Sequence, residues 1–147
     1  MEMTGEQLIP VAQAAAWAAL NDPEVLKDCV PGCESITRVS DNEYDVVMTA
    51  KVGPVSAKFK GKMTVTHSDP PRAYTLSFEG QGGVAGFAKG EANVALTPEN
   101  GATRLAYSAK ATVGGKLAQV GSRLIDGVAR QLAEKFFDAF NRRVSGG

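Results

Sequence analysis

The sequence predicts an α+β fold, a curved antiparallel sheet closed by one long C-terminal helix. Three observations predict it. Five stretches between Tyr44 and Val113 alternate apolar and polar residues with a period of two. Gly53-Pro54, Asp69-Pro70-Pro71 and Asn100-Gly101 punctuate them as turns. The last segment, from Lys116 to about Val144, has no proline and places Leu117, Gly121, Leu124, Val128 and Leu132 at helical spacing.

In order, a first strand is expected over about Glu2 to Ile9. Pro10 suits the first turn of an Ala-rich helix running to Leu20. Asp22 is placed to cap a second short helix that has Pro23 in its first turn and stops before Pro31-Gly32. From Ser35 the period becomes two. Tyr44, Val46, Met48, Ala50 and Val52 form one dry face. After Gly53-Pro54, Val55, Ala57, Phe59, Gly61, Met63 and Val65 alternate with Ser56, Lys58, Lys60, Lys62 and Thr64. Tyr74, Leu76 and Phe78 follow, then Ala88 to Leu96, then Leu105 to Val113. Each strand has one wet and one dry face, the mark of a sheet covered on one side. About six strands and a helix of about 28 residues, roughly 42 Å long, make up the expected architecture.

The chain has 147 residues, one ordinary domain spanning 1–147, with 44% apolar and 22% charged residues. A chain this long folds without a disulfide framework or structural metal. Sixteen basic and sixteen acidic residues give zero net charge, which argues against nucleic-acid binding. No apolar run approaches the roughly 18 residues of a membrane span. The acidic start, Met1 to Glu6, lacks a hydrophobic export segment, so a cytoplasmic location is expected. Cys29 and Cys33, four apart with the lone His67 far away, read as two reduced residues near a turn rather than as a metal or redox site.

The dry face is uneven. Phe59, Met63, Leu76, Phe78 and Tyr107 are large; Gly61, Ala88, Gly90, Ala92, Ala109 and Ala111 are small. Two readings stand side by side: the helix approaches the sheet closely at the small positions, or they leave an apolar hollow for a lipophilic guest. The loop Gly80 to Phe87 puts Val84, Ala85 and Phe87 on a glycine frame. It reads either as a lid over the core or as an exposed tip touching a membrane or partner. Lys51, Lys58, Lys60 and Lys62 share a wet face, either simply solvated or a basic patch for an acidic partner or anionic headgroups. Toward the end of the last helix the apolar stripe rotates to Phe136, Phe137 and Phe140. There the helix bends over a new neighbour, or Phe137 and Phe140 meet another chain, a homodimer included. No nucleophile elbow, paired-histidine metal motif or phosphate loop is present. His67, beside a turn, has no evident partner.

Several segments together resemble a known family. Ile9-Pro10, Trp17 to Pro23 and Val30-Pro31-Gly32-Cys33-Glu34 resemble the opening of the START-like (SRPBCC) helix-grip superfamily. Val52 to Val55, Lys58 to Gly61 and Gly115 to Ile125 are similar to the carbon monoxide dehydrogenase G-subunit (CoxG) family within it. The resemblance implies seven antiparallel strands gripping a C-terminal helix, two short helices after the first strand, and a hydrophobic cavity between sheet and helix. It implies a non-enzymatic accessory role: recruiting a carbon monoxide dehydrogenase-type molybdenum hydroxylase to the cytoplasmic membrane. Many members continue into a tail with a hydrophobic anchor, which this sequence, ending at Gly147, does not contain. No intrinsic cofactor is expected; a quinone or lipid is the expected guest. The candidate lining comprises Phe59, Met63, Leu76, Phe78, Ala88, Ala92, Tyr107, Ala109, Leu124 and Val128. Val84, Phe87, Lys51, Lys58, Lys60 and Lys62 are the candidate docking residues. An assembly factor without a ligand, or a cavity enzyme of cyclase or hydrolase type, are the rival readings.

Overall fold

In the computed structural model, which describes residues 1–146, seven strands form one antiparallel sheet. They are β1 (Glu2–Ile9), β2 (Cys33–Ser40), β3 (Glu43–Val52), β4 (Val55–Asp69), β5 (Ala73–Gln81), β6 (Phe87–Glu99) and β7 (Ala102–Gly114). Their spatial order is β1-β7-β6-β5-β4-β3-β2, so β2 to β7 run as a meander and β1 returns to the edge beside β7. The helices are α1 (Gln13–Leu20), α2 (Pro23–Cys29), α3 (Lys116–Gln119) and α4 (Ser122–Ser145). Helices α1 and α2 connect β1 to β2 along the chain; α1 packs on β6 and β7, α2 packs on β2 and α4, and α4 also reaches β1 and β3.

Two local expectations need correction. The first helix starts at Gln13, not Pro10. The Val11 carbonyl accepts a 2.8 Å hydrogen bond from the Thr103 hydroxyl on β7, and Ala12 is still extended at ψ 158°. That tie holds the chain straight past the proline. The final helix is not continuous: Gly121 sits at φ +97°, in the left-handed region, and separates α3 from α4. At 24 residues, α4 is about 36 Å long. The strands number seven, as the family resemblance implies, with Cys33–Ser40 paired antiparallel on β3 as the outermost strand.

The capping expectation for α2 holds. Asp22 Oδ1 accepts from the Glu24 N–H at 2.9 Å, with Pro23 in the first turn. Asp22→Ala is expected to lower stability by about 1 kcal/mol. Asp22→Asn should recover most of it, both read from the urea midpoint.

Residues paired across strands share a face, so the register writes the inner surface as rows. One row is Tyr44, Met63, Phe78, Gly90 and Ala111; the next is Val65, Leu76, Ala92, Ala109 and Met3. A third holds Tyr74, Val94, Tyr107 and Gly5. In the first two rows bulk is concentrated on β3 to β5, and small residues on β6 and β7. The glycines in the sheet have their own cause. A Cβ at Gly61 would overlap the Glu79 carbonyl, and one at Gly90 the Lys110 carbonyl, so both permit neighbouring strands to close up where the sheet bends. On the helical side, a Cβ at Gly121 or Gly127 would meet nothing within 4 Å. Close approach of helix to sheet therefore does not explain these four glycines.

The tight core lies at one end. Ile9, Ala16, Leu20, Val25, Cys29, Leu96, Leu105, Phe137 and Phe140 form one buried cluster, with Trp17, Tyr107 and Phe136 packed on it. Phe136 stacks on Phe140 at 5.7 Å and meets Phe137 edge-on at 5.1 Å. Phe137 and Phe140 are thus inside the chain's own core, which overturns the reading that they meet another chain. The apolar stripe rotates because the end of α4 leaves the sheet's centre and packs on α2.

Candidate functional site

The interior has two unlike halves. Where α1, α2 and the end of α4 meet, Ile9, Ala16 and Phe140 are fully shielded. Under the first turns of α4, the inner rows are not. Phe59, Met63, Leu76 and Phe78 are only half-buried, and so are Ala88, Ala92, Ala109 and Val128. Apolar side chains in a filled interior lose nearly all their exposure, because packing leaves few voids. Here they keep contact with solvent on the concave side of the sheet. Tyr107 marks the border: its ring stacks on Phe137 at 5.7 Å and lies over Gly5, where a Cβ would come within 2.6 Å of its hydroxyl. Leu124 does not line this space in the same way. It is 39% exposed and lies against Gly53 in the β3–β4 turn.

The polar equipment of the inner face is small. The three rows contain no charged side chain. The Tyr44 hydroxyl is satisfied by Arg38 at 3.1 Å. Burial pushes the Tyr74 hydroxyl far above the usual tyrosine range, with Tyr44 adding to the shift, so it stays protonated. Burial also raises both thiols, Cys29 and Cys33, which are free and protonated at neutral pH. Among the described residues, no cluster of His, Cys, Asp and Glu could hold a metal ion.

The glycine-rich tip divides between its two readings. Residues Gly83–Ala85 make one 3-10 turn that touches β4 and α3. Ala85 is buried, whereas Val84 is 85% exposed. Phe87 alternates with the inward Ala88, so it sits on the outer face, where its ring lies across Gly114. It shares a cross-strand row with Lys60 and Gln81.

The four lysines are not equivalent. Lys58 pairs with Glu34 at 3.4 Å, and Lys62 stands between Asp45 and Glu79 in the register. Lys51 and Lys60 face Ser56, Val47 and Gln81, so their charge is unopposed across the strands. The end of the molecule that carries Val84 and Leu124 also carries Lys89, Lys116 and Arg123.

Two open hollows lie elsewhere. One of about 560 Å³ is on the outer face, walled by Glu79, Lys89, Glu91 and Lys110. The other, of about 430 Å³, lies between the end of α1, the β2–β3 turn and the β4–β5 hairpin, with Trp17, Arg38, Tyr44 and His67 in its wall. Sequence reasoning missed this grouping. Nothing local marks Arg38; in the fold it reaches the Asn21 carbonyl at the end of α1, and Trp17 stands in the same wall. His67 is exposed in β4, beside a register shift, at φ +49°.

A seven-stranded antiparallel sheet gripping a C-terminal helix, with two short helices after β1 and a core packed at one end only, defines a START-like helix-grip domain. Among solved structures the chain is similar to a START superfamily protein from Mycobacterium smegmatis (13% identity, TM-score 0.75, covering 99% of this chain and 97% of that one). It is also similar to the Zhui aromatase/cyclase from a Streptomyces species (11%, TM-score 0.71, 99% and 93%). At these identities the likeness is one of fold. The chain belongs to the carbon monoxide dehydrogenase G-subunit (CoxG) family, whose model matches residues 5–145. A conserved protein from Geobacillus kaustophilus is 31% identical, with a TM-score of 0.93 over 99% of this chain and 96% of that one. No curated protein matches this chain. Among the described residues, no helix is long and apolar enough to cross a membrane.

Proposed function

We propose that the chain is a non-catalytic accessory protein. It holds a lipophilic molecule, a quinone or a lipid, between sheet and α4, and recruits a carbon monoxide dehydrogenase-type molybdenum hydroxylase to the cytoplasmic membrane. Membership of the CoxG family supports the partner. One observation carries the guest: apolar rows under the first turns of α4 keep solvent contact, while the other half of the same interior is shut. A prenyl-like tail hiding on the order of 400 Å² gains roughly 10 kcal/mol gross. Association costs of about 4–15 kcal/mol leave reversible affinity, which suits a carrier. The lack of charged groups on the inner rows disfavours a cavity enzyme, which needs a titratable group beside its substrate.

Organic extraction of the purified protein, followed by titration with a short-chain quinone analogue, tests the reading. Bound lipid or saturable binding is expected. Neither would leave only the ligand-free assembly role. For docking, Val84 is the apolar tip, and Lys51 and Lys60 are the unopposed charges beside it, each worth about 1 kcal/mol near an anionic surface. The double variant Val84→Ser, Phe87→Ser is expected to lower binding to anionic liposomes several-fold in a flotation assay. Unchanged flotation would exclude Val84 and Phe87 as the membrane contact.

A further inference from the structure

We propose that the recess between α1, β2 and the β4–β5 hairpin, which meets the inner rows at Tyr44 and Val65, is a second binding site and that it takes a small aromatic monocarboxylate. Arg38 is its anchor. Arg38 Nη2 donates to the Asn21 carbonyl at 3.0 Å and to the Tyr44 hydroxyl at 3.1 Å, and the guanidinium carbon lies 5.3 Å from the Tyr44 ring centroid. These three contacts tether the guanidinium to two residues, Asn21 and Tyr44, and both are neutral. Among the described residues Arg38 has no ion pair, and its Nε and Nη1 make no hydrogen bond. Nη2 is taken up by its two hydrogen bonds, so a carboxylate here accepts a single charge-assisted hydrogen bond, from Nη1 or Nε, of an arginine that no acidic side chain pairs with.

The remaining wall defines the rest of the ligand. Trp17, Val65 and Pro70 supply apolar surface, and the hollow of about 430 Å³ has room for a ring. Trp17 is fixed by its edge-to-face contact with Tyr74 at 5.3 Å. Asp41 lines the same recess and opposes a second negative charge, which selects a monoanion. His67 joins the wall from a left-handed backbone conformation that non-glycine residues rarely hold, at a break in the β4–β5 register. Strain of this kind concentrates where a side chain must be aimed.

Trp17 is the single tryptophan, so the protein carries its own reporter. Titrating the full chain with benzoate at neutral pH is expected to change Trp17 fluorescence saturably. Benzamide, the neutral isostere, should bind at least tenfold more weakly. Arg38→Gln should weaken benzoate at least tenfold and leave benzamide unchanged. Because Arg38 also ties β2 to α1, the wild-type chain supplies an independent reading by NMR. Benzoate is expected to move the amides of Asn42, Thr66, His67 and Ser68, not those of Ala92 and Ala109. Equal binding of benzoate and benzamide, or shifts confined to Ala92 and Ala109, would overturn the proposal.

Discussion

Ala92→Phe and Ala109→Phe are each expected to reduce binding of a quinone analogue at least tenfold while leaving the melting temperature unchanged or raised. The two alanines face each other across β6 and β7, in the row that also holds Leu76 and Met3. Both keep solvent contact on the inner face. A phenyl ring placed there occupies the guest's space, and a tenfold loss corresponds to about 1.4 kcal/mol. The sign of the stability change is the sharper test. In an open hollow, the added ring covers apolar surface and contributes up to about 1.5–3 kcal/mol. In a filled interior, the same ring forces neighbours off their rotamers and costs about 1–3 kcal/mol. At roughly 3 °C per kcal/mol for a chain of this size, the two outcomes separate by several degrees in a thermal melt. A fall in melting temperature with unchanged ligand binding would remove the carrier function and leave the adaptor role.

Phe140→Ala is expected to have the largest effect on stability, a loss of about 3–5 kcal/mol, or on the order of 10 °C. Its ring is fully shielded, stacks on Phe136 and belongs to the cluster with Ile9, Leu105 and Cys29. Removing it leaves a void that α2, β1 and β7 cannot all collapse upon. Leu76→Ala supplies the contrast. Leu76 sits in the half-open part of the interior, so its truncation should cost well under half as much. Equilibrium urea unfolding of the two variants measures the difference directly. Similar losses would mean that the interior is uniformly packed and that the half-exposed rows do not mark a hollow.

Much of this architecture is written in local chemistry. The alternation from Tyr44 to Val113 specifies which side of each strand is dry, and the register then stacks those residues into rows without a slip in β3, β6 or β7. Asp22-Pro23 announces α2, and the polar faces of Lys58, Lys60 and Lys62 lie outward as the period demands. These features depend on residues two to four positions apart, so the chain's own spacing carries them.

Other features depend on residues distant in the chain. Pro10 is a good first-turn residue, yet Thr103, 92 positions from Val11, holds that segment extended. Leu124 fits the helical stripe, yet the break at Gly121 sets the start of α4 so that Leu124 meets Gly53 and stays 39% exposed. Gly61 and Gly90 look like vacancies toward a helix, yet it is the neighbouring strand's carbonyl that leaves no space for a Cβ.

By itself, the sequence determined the class of fold, the order of its elements and the faces they bury, since periodicity and turn chemistry are properties of neighbouring residues. Only the tertiary structure decided where the interior is packed and where it stays open, which lysines keep their charge unopposed, and that Arg38 stands in a recess with Trp17. Those outcomes rest on distances between segments brought together by the sheet's curvature, and curvature is a sum over all seven strands that no single stretch encodes.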